Sequence, residues 1–340
     1  MKKALITGIT GQDGAYLAPL LLDKGYEVHA IMRRTSNDPT ARLNGLFSGR
    51  KVHFHEGNIR DLNRVRDIME SVVPDEVYNL AAQSHVATSF KCPDETWDIN
   101  YYGVGRVVNE AIKVNPQVRI YQASTSEMFG NSPAPQSELT PFAPESPYAE
   151  AKLRAHEDFI VNKRNKQDVF AVSGILFNHE SPMRGKQFVT RKITHSFAKI
   201  AAGVQSHMEL GNLNAVRDWG FAGDYVKAMY LMLQQDTPQD FVIASGESNT
   251  VRDFIDISAK YFGYDIEWEG KDEQEIGVDK KNGKTLVKVN SEFYRPREVN
   301  YLLGDASKAN NILKWEPEYS FEKLVSVMCE ADKNLVFPKL

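Results

Sequence analysis

Tyr148-Ala149-Glu150-Ala151-Lys152 sets a phenol and an ammonium one helical turn apart, some twenty residues after Ser124-Thr125-Ser126-Glu127. Residues i and i+4 share a helix face, so Lys152 can stand beside Tyr148. An ammonium near a phenol favours the phenolate and draws its pKa towards the working pH, as a base that removes an alcohol proton requires. Thr125 adds a hydroxyl at the end of an expected strand, and Glu127 a carboxylate two residues on. Each of these has a plainer reading. A Tyr and a Lys at this spacing also occur as a surface pair, and Glu127 also suits a helix start, where the dipole stabilises a carboxylate. The rest of the chain must decide between the two.

The strongest such context lies at the start. Residues 4–7 form an apolar run that leads into Gly8-Ile9-Thr10-Gly11-Gln12-Asp13-Gly14, a G-x-x-G-x-x-G, and residues 15–22 then take helical spacing. Glycines between a strand and a helix allow a tight turn and a close backbone approach to a pyrophosphate, which the free N–H groups and dipole of the helix start favour. The second apolar run, 28–32, ends in Arg33-Arg34-Thr35-Ser36. NAD sites commonly carry an acidic residue there for the ribose 2′-OH, whereas two guanidinium groups suit a 2′-phosphate and point to NADP. A solvated basic turn or a subunit contact would use the same residues.

The elements that position these groups follow from the pattern of apolar runs. Residues 4–7, 28–32, 52–55, 77–80, 120–123 and 170–175 read as strands separated by amphipathic helices. Strands apolar on both faces and joined by helical crossovers imply an α/β fold, a doubly wound parallel Rossmann sheet. Beyond residue 176 polar loops (178–187 and 269–291) interleave with short helices such as 224–233. We therefore expect a Rossmann domain over 1–176 and a smaller mixed substrate lobe over 177–340, with a strand near 241–244 among the segments that return to the main sheet.

Composition narrows the partners. In 340 residues, 41 Lys+Arg stand against 45 Asp+Glu, a formal charge of -4 that gives no reason to expect nucleic acid or an anionic membrane. Cys92 and Cys329 form no CxxC, and no His/Asp/Glu cluster has ligand spacing, so neither a disulfide framework nor a metal is expected. No apolar run approaches the roughly 18 residues of a membrane span. The basic start Met1-Lys2-Lys3 leads into a run broken by Thr7, Gly8 and Gly11, not into a signal peptide. A reducing, cytoplasmic setting fits.

From residue 4 to about residue 317, including Leu303-Gly304-Asp305 and Lys314-Trp315-Glu316-Pro317, the chain resembles the nucleotide-sugar 4,6-dehydratases of the extended short-chain dehydrogenase/reductase family. Within them it resembles the GDP-mannose dehydratases, because Thr125-Ser126-Glu127 stands where glucose-type enzymes have Thr-Asp-Glu, and because the long block 174–191 matches. The resemblance implies a catalytic set of Thr125, Tyr148 and Lys152, with Glu127 removing a C5 proton and Ser126 at the sugar. It implies NADP held by Gly8, Gly11, Gln12, Asp13 and Gly14, by Arg33, Arg34, Thr35 and Ser36, and by Asn58 and Ile59. Leu80, Ala81, Ala82, Gln83 and Ser84, then Tyr148, Lys152, His179 and Arg184, complete the cofactor set. Asn58 stands where many relatives have Asp.

For a GDP-sugar substrate the resemblance implies Ser84, His85, Ser126, Asn178, Val189, Lys192, Arg217 and Arg297, with Glu298 proposed for a guanine N–H. Asn100 lies near the same site. His85 has no acidic partner evident and reads as packed or substrate-touching, and Arg295 as a surface salt bridge. A homodimer or homotetramer is implied too, with residues 33–40 reaching a neighbour's cofactor. A GDP-manno-heptose dehydratase and a non-catalytic NADP(H)-binding regulator stay open as alternatives; Glu127 argues against a reductase or epimerase.

Overall fold

The computed structural model describes residues 1–36, 38–294, 297 and 299–337. Its centre is a seven-stranded sheet. In chain order six of the strands are β1 (Lys3–Thr7), β2 (Glu27–Met32), β3 (Val52–Glu56), β4 (Glu76–Asn79), β5 (Arg119–Ala123) and β6 (Ala171–Leu176). The seventh is Phe241–Ile243, and the spatial order runs from it through β6, β5, β4, β1 and β2 to β3. Every pairing is parallel. Ala4, Leu5 and Ile6 are fully buried, as expected for a strand covered by helices on both faces.

One face is covered by α1 (Gln12–Asp23) and by the helix Ala222–Leu233, whose Tyr225, Val226 and Met229 share a core with Leu17 and Leu21. On the other face Val65, Ile68 and Met69 of Leu62–Val72 pack with Val104, Val107 and Val108 of Gly103–Val114. The outermost strand comes from the second half of the chain and is locked in place by polar contacts. Arg164 donates from both Nη1 and Nη2 to Asp240 at 2.9 and 2.7 Å, and Asp240 Oδ1 accepts from the Ser173 N–H at 2.7 Å.

The remaining lobe has its own apolar centre, where Trp219, Phe254 and Phe321 pack among the helices Val189–Ala201, Val251–Tyr261 and Phe321–Val336. A four-stranded sheet (Ile266–Glu269, Ile276–Asp279, Thr285–Val289, Met208–Leu210) completes it. Two of these strands lie in 269–291, read from sequence as a polar loop. They are short, and Leu286 and Val287 turn inward while lysines flank them, so the inward pattern is too brief to stand out. The other expected loop, 178–187, begins with the strand Asn178–Glu180, paired in parallel with Val216–Phe221.

Candidate active site

The glycine loop is built by close packing. Gly8 has φ +77, and a Cβ on it would lie 2.9 Å from the Ala81 nitrogen; one on Gly14 would lie 2.4 Å from the Ile9 Cα. So α1 starts earlier than its apolar spacing suggests, at Gln12, with Gly14 pressed onto the loop. Gly11 caps the helix without a side-chain bond, which leaves first-turn N–H groups for a ligand. Nearby, Arg33, Arg34, Thr35 and Asn58 line a cavity of about 460 Å³. Arg64 lines it too, a cation that sequence reasoning missed because it sits on the helix face of the next unit.

Three buried side chains, Thr7, Asn79 and Gln122, connect this loop to the helix that carries Lys152. Thr7 Oγ1 accepts from the Ala81 N–H at 3.0 Å and donates to Asn79 Oδ1 at 2.6 Å. Asn79 Nδ2 donates to Gln122 Oε1 at 2.7 Å, and Gln122 Nε2 to the Ala123 carbonyl at 2.8 Å. That same carbonyl accepts from Lys152 Nζ at 2.9 Å. Thr7, Asn79 and Gln122 face into neighbouring strands of a sheet read as apolar, and only the strand order reveals the chain they form.

Tyr148 and Lys152 lie on the helix Pro147–Ala155, capped by Ser146, whose Oγ accepts from the Ala149 N–H at 3.1 Å. Thr125 lies two residues past β5 and caps the short turn Ser126–Phe129, its Oγ1 accepting from the Glu127 N–H at 3.2 Å. Thr125, Ser126, Glu127, Tyr148 and Lys152 are all buried together. The electrostatics differ from the expectation of a lowered phenol. Burial pushes Tyr148 up to about 12, against a hydrogen bond from Thr125 that pulls it down, and the Glu127 charge adds to the rise. Lys152 Nζ points to the Ala123 carbonyl, 5.9 Å from the Tyr148 ring centre, so its charge does not offset that burial. Burial in turn brings Lys152 down to about 8.

His179 and Asp13 meet at the start of α1. His179 Nε2 lies 3.0 and 3.1 Å from the two Asp13 oxygens, and Nδ1 lies 2.8 Å from the Phe177 carbonyl. Two acceptors demand two N–H groups, hence an imidazolium. Burial works against both charges, but the pair's attraction and hydrogen bonds outweigh it, holding Asp13 below and His179 above their ordinary values. The ring also stacks on Tyr225 at 4.7 Å.

Gln12 joins this junction, donating to the His179 carbonyl at 2.9 Å. Arg184 lies with its guanidinium 3.8 Å over the Phe188 ring, and Phe188 meets His85 edge-on at 5.7 Å. His85 itself caps the helix Val86–Lys91. Asn178 Oδ1 is buried with no hydrogen bond from the protein. Val189 is exposed at the start of its helix, and Lys192 Nζ lies 3.6 Å over Phe293. Arg217 is buried on the strand Val216–Phe221, its Nη1 donating to the Val216 carbonyl at 2.9 Å.

Other residues are engaged in holding loops. The Gln83 side chain bonds His85 N–H, His85 O and Thr96, while Asn100 clamps the Gln83 backbone with two bonds of 2.9 Å. Ser84 and Ser36 are exposed, Ile59 is buried beside Gly103, and Leu80 and Ala82 line the same strand end half-buried. Arg297 is largely exposed, 3.7 Å from Glu145. Arg295 and Glu298 lie outside the described residues. Among the described residues no group of three or more His, Cys, Asp and Glu is placed to hold a metal ion.

A glycine loop beneath a parallel sheet, with Thr, Tyr and Lys at the end of the fifth strand, defines the extended short-chain dehydrogenase/reductases. The fold agrees. UDP-glucose 4-epimerase of Thermotoga maritima superposes with a TM-score of 0.81 at 22% identity, covering 98% of this chain and 100% of that one. A dTDP-glucose 4,6-dehydratase of Bacillus anthracis gives 0.78 at 19%, covering 97% and 96%. Within that class the chain belongs to the GDP-mannose 4,6-dehydratase family, which it matches over residues 5–328. It is 50% identical to the human GDP-mannose 4,6 dehydratase and 47% identical to that of Yersinia enterocolitica. Each alignment covers 98% of this chain, with 92% and 94% of the relatives.

Proposed function

We propose that this chain is a hydro-lyase, an NADP-dependent GDP-mannose 4,6-dehydratase that forms GDP-4-dehydro-6-deoxymannose and water. The observation that carries the reading is that Glu127 is buried, as Thr125, Tyr148 and Lys152 are, and lies near enough for its charge to act on the Tyr148 phenol. A triad alone serves alcohol oxidation; a dehydration also needs a group for the C5 proton and the departing C6 hydroxyl. Family membership supports the sugar nucleotide.

The close fit of Gly8 and Gly14, the uncapped helix start and the Arg33/Arg34 cavity suit a dinucleotide with a 2′-phosphate. A bound oxidised nicotinamide cofactor would supply a hydride acceptor that returns what it takes. Tyr148 takes the proton of the C4 hydroxyl, with Thr125 holding the phenol oxygen. The resulting ketone acidifies C5, and Glu127 removes that proton and gives it to the C6 hydroxyl, which leaves as water with the aid of Ser126; the hydride would then return to C6 and a proton to C5, completing the 6-deoxy product. Arg217 and Arg297 set cations towards the diphosphate, Lys192 faces the nucleotide sugar, and Asn178 offers its buried acceptor to it.

Incubation of the purified chain with NADP+ and GDP-mannose, followed by mass spectrometry, tests the reading. A product lighter by one water with no NADPH accumulating supports it. An unchanged GDP-mannose sinks it, and turnover of GDP-manno-heptose alone would move the substrate while keeping the chemistry.

A further inference from the structure

The loop from residue 181 to 188 carries Arg184 and Phe188 and runs through turns, with no strand or long helix of its own. Its upstream end is tied to the glycine loop, since Ser181 Oγ donates to Gln12 Oε1 at 2.8 Å. Its downstream end is held from a distant part of the chain. Arg191, in the first turn of Val189–Ala201, turns its guanidinium back so that Nη1 donates to the carbonyls of Pro182 and of Arg184, the latter at 3.2 Å. The same fork meets the Asp332 carboxylate through Nε at 2.8 and 2.7 Å and through Nη2 at 2.7 Å. Thr194 Oγ1 donates to Asp332 Oδ2 at 2.6 Å, and His195 Nδ1 lies 3.4 Å from Oδ1. Asp332 belongs to the last helix, Phe321–Val336, and is fully buried.

A buried ion pair is a poor choice for stability alone, because apolar residues of similar volume often serve as well. A charged fork adds direction, here by fixing two backbone carbonyls of the loop. Direction matters at this place. Arg184 Nε forms an ion pair with Glu180 Oε2 at 3.1 Å, an oxygen that also accepts from Thr190 at 2.5 Å, and the guanidinium lies 3.8 Å over the Phe188 ring. Because Arg191 fixes the Pro182 and Arg184 carbonyls on the stretch that carries Arg184, the loop backbone sets the point from which its guanidinium reaches Glu180 and Phe188. We propose that Asp332 is a positioning residue which, through Arg191, fixes the 181–188 loop and so presents Arg184 and Phe188 to the bound dinucleotide. This rests on the reading above that the loop meets the cofactor.

The test uses the full chain, with Asp332→Asn and Arg191→Lys, measuring melting temperature, NADPH affinity by fluorescence titration and steady-state kinetics with GDP-mannose. Misplacement by a fraction of an ångström to one ångström predicts a rise of about tenfold or more in the NADPH Kd of folded protein, with a smaller fall in kcat. Arg191→Lys keeps a cation for Asp332 but lacks the second arm, and should weaken NADPH in the same way. Wild-type Kd in folded Asp332→Asn overturns the proposal, as does a loss confined to melting temperature. Should Asp332→Asn not fold, Arg191→Lys decides by the same measure, and failure of both to fold assigns the contact to stability alone and overturns it. A wild-type chain that binds NADPH but leaves GDP-mannose intact defeats the functional reading, while the NADPH titrations still judge the loop.

Discussion

Glu127 is buried close to Tyr148, and in the proposed reading its carboxylate is what separates dehydration from plain oxidation. Glu127→Gln keeps the shape and removes the base, so 6-deoxy product should fall by about 10²- to 10⁴-fold. NADPH titration should be unchanged, and full dehydration by the variant would remove Glu127 from the mechanism. The Asp13–His179 pair gives a pH signature. His179 is raised above its ordinary 6.5, so its contribution to stability is complete below that value and is lost as pH rises through the higher folded value. Asp13 is lowered below 3.8, so its contribution is present above that value and lost as pH falls through the lower folded one. Melting temperatures of wild type and His179→Gln should therefore differ most between these ordinary values and converge at higher pH; a gap independent of pH would mean the pair carries no charge.

At the scale of elements, α1 and the loop before it form a single fitted piece. Gly14→Ala would place a Cβ 2.4 Å from the Ile9 Cα, forcing the helix off the strand. A loss of about 1–3 kcal/mol by thermal unfolding is expected, together with weaker NADPH binding. Unaltered affinity would show that the loop tolerates the shift. In the proposed reading the end of β2 governs cofactor choice. Replacing Arg33 and Arg34 with Ala removes charged donors worth about 1.5–3 kcal/mol each, so NADP+ should weaken by tenfold or more while NAD+ is little changed. Equal losses for both dinucleotides would place the arginines elsewhere.

The whole molecule is interlocked, because Phe241–Ile243 and Ala222–Leu233 lie beyond residue 176 yet complete the main sheet and its cover. A fragment ending at Leu176 would expose Tyr78, Tyr121 and the α1 face, and is expected to show helical far-UV circular dichroism without native near-UV signal. A fragment with native near-UV signal would show that the first half is self-sufficient.

Much of this was legible in the sequence, because the deciding signals are local. A strand followed by G-x-x-G-x-x-G allows few backbone paths, and apolar runs at crossover spacing require a parallel sheet. The proposed roles of Thr125, Glu127, Tyr148 and Lys152 were readable from their residue types and spacing together with the family resemblance. What only the tertiary structure decided are relations between residues far apart in the chain. The short strands within 269–291 take their order from a lobe core shared with residue 208. The line from Thr7 through Asn79 and Gln122 to Lys152 exists because β1, β4 and β5 are neighbours. The phenol pKa depends on burial and on where Lys152 points, and no spacing rule encodes either. Asp332 reaches the 181–188 loop across about 140 residues for the same reason: packing brings a last helix against an earlier loop, and sequence patterns report only what repeats within a few turns.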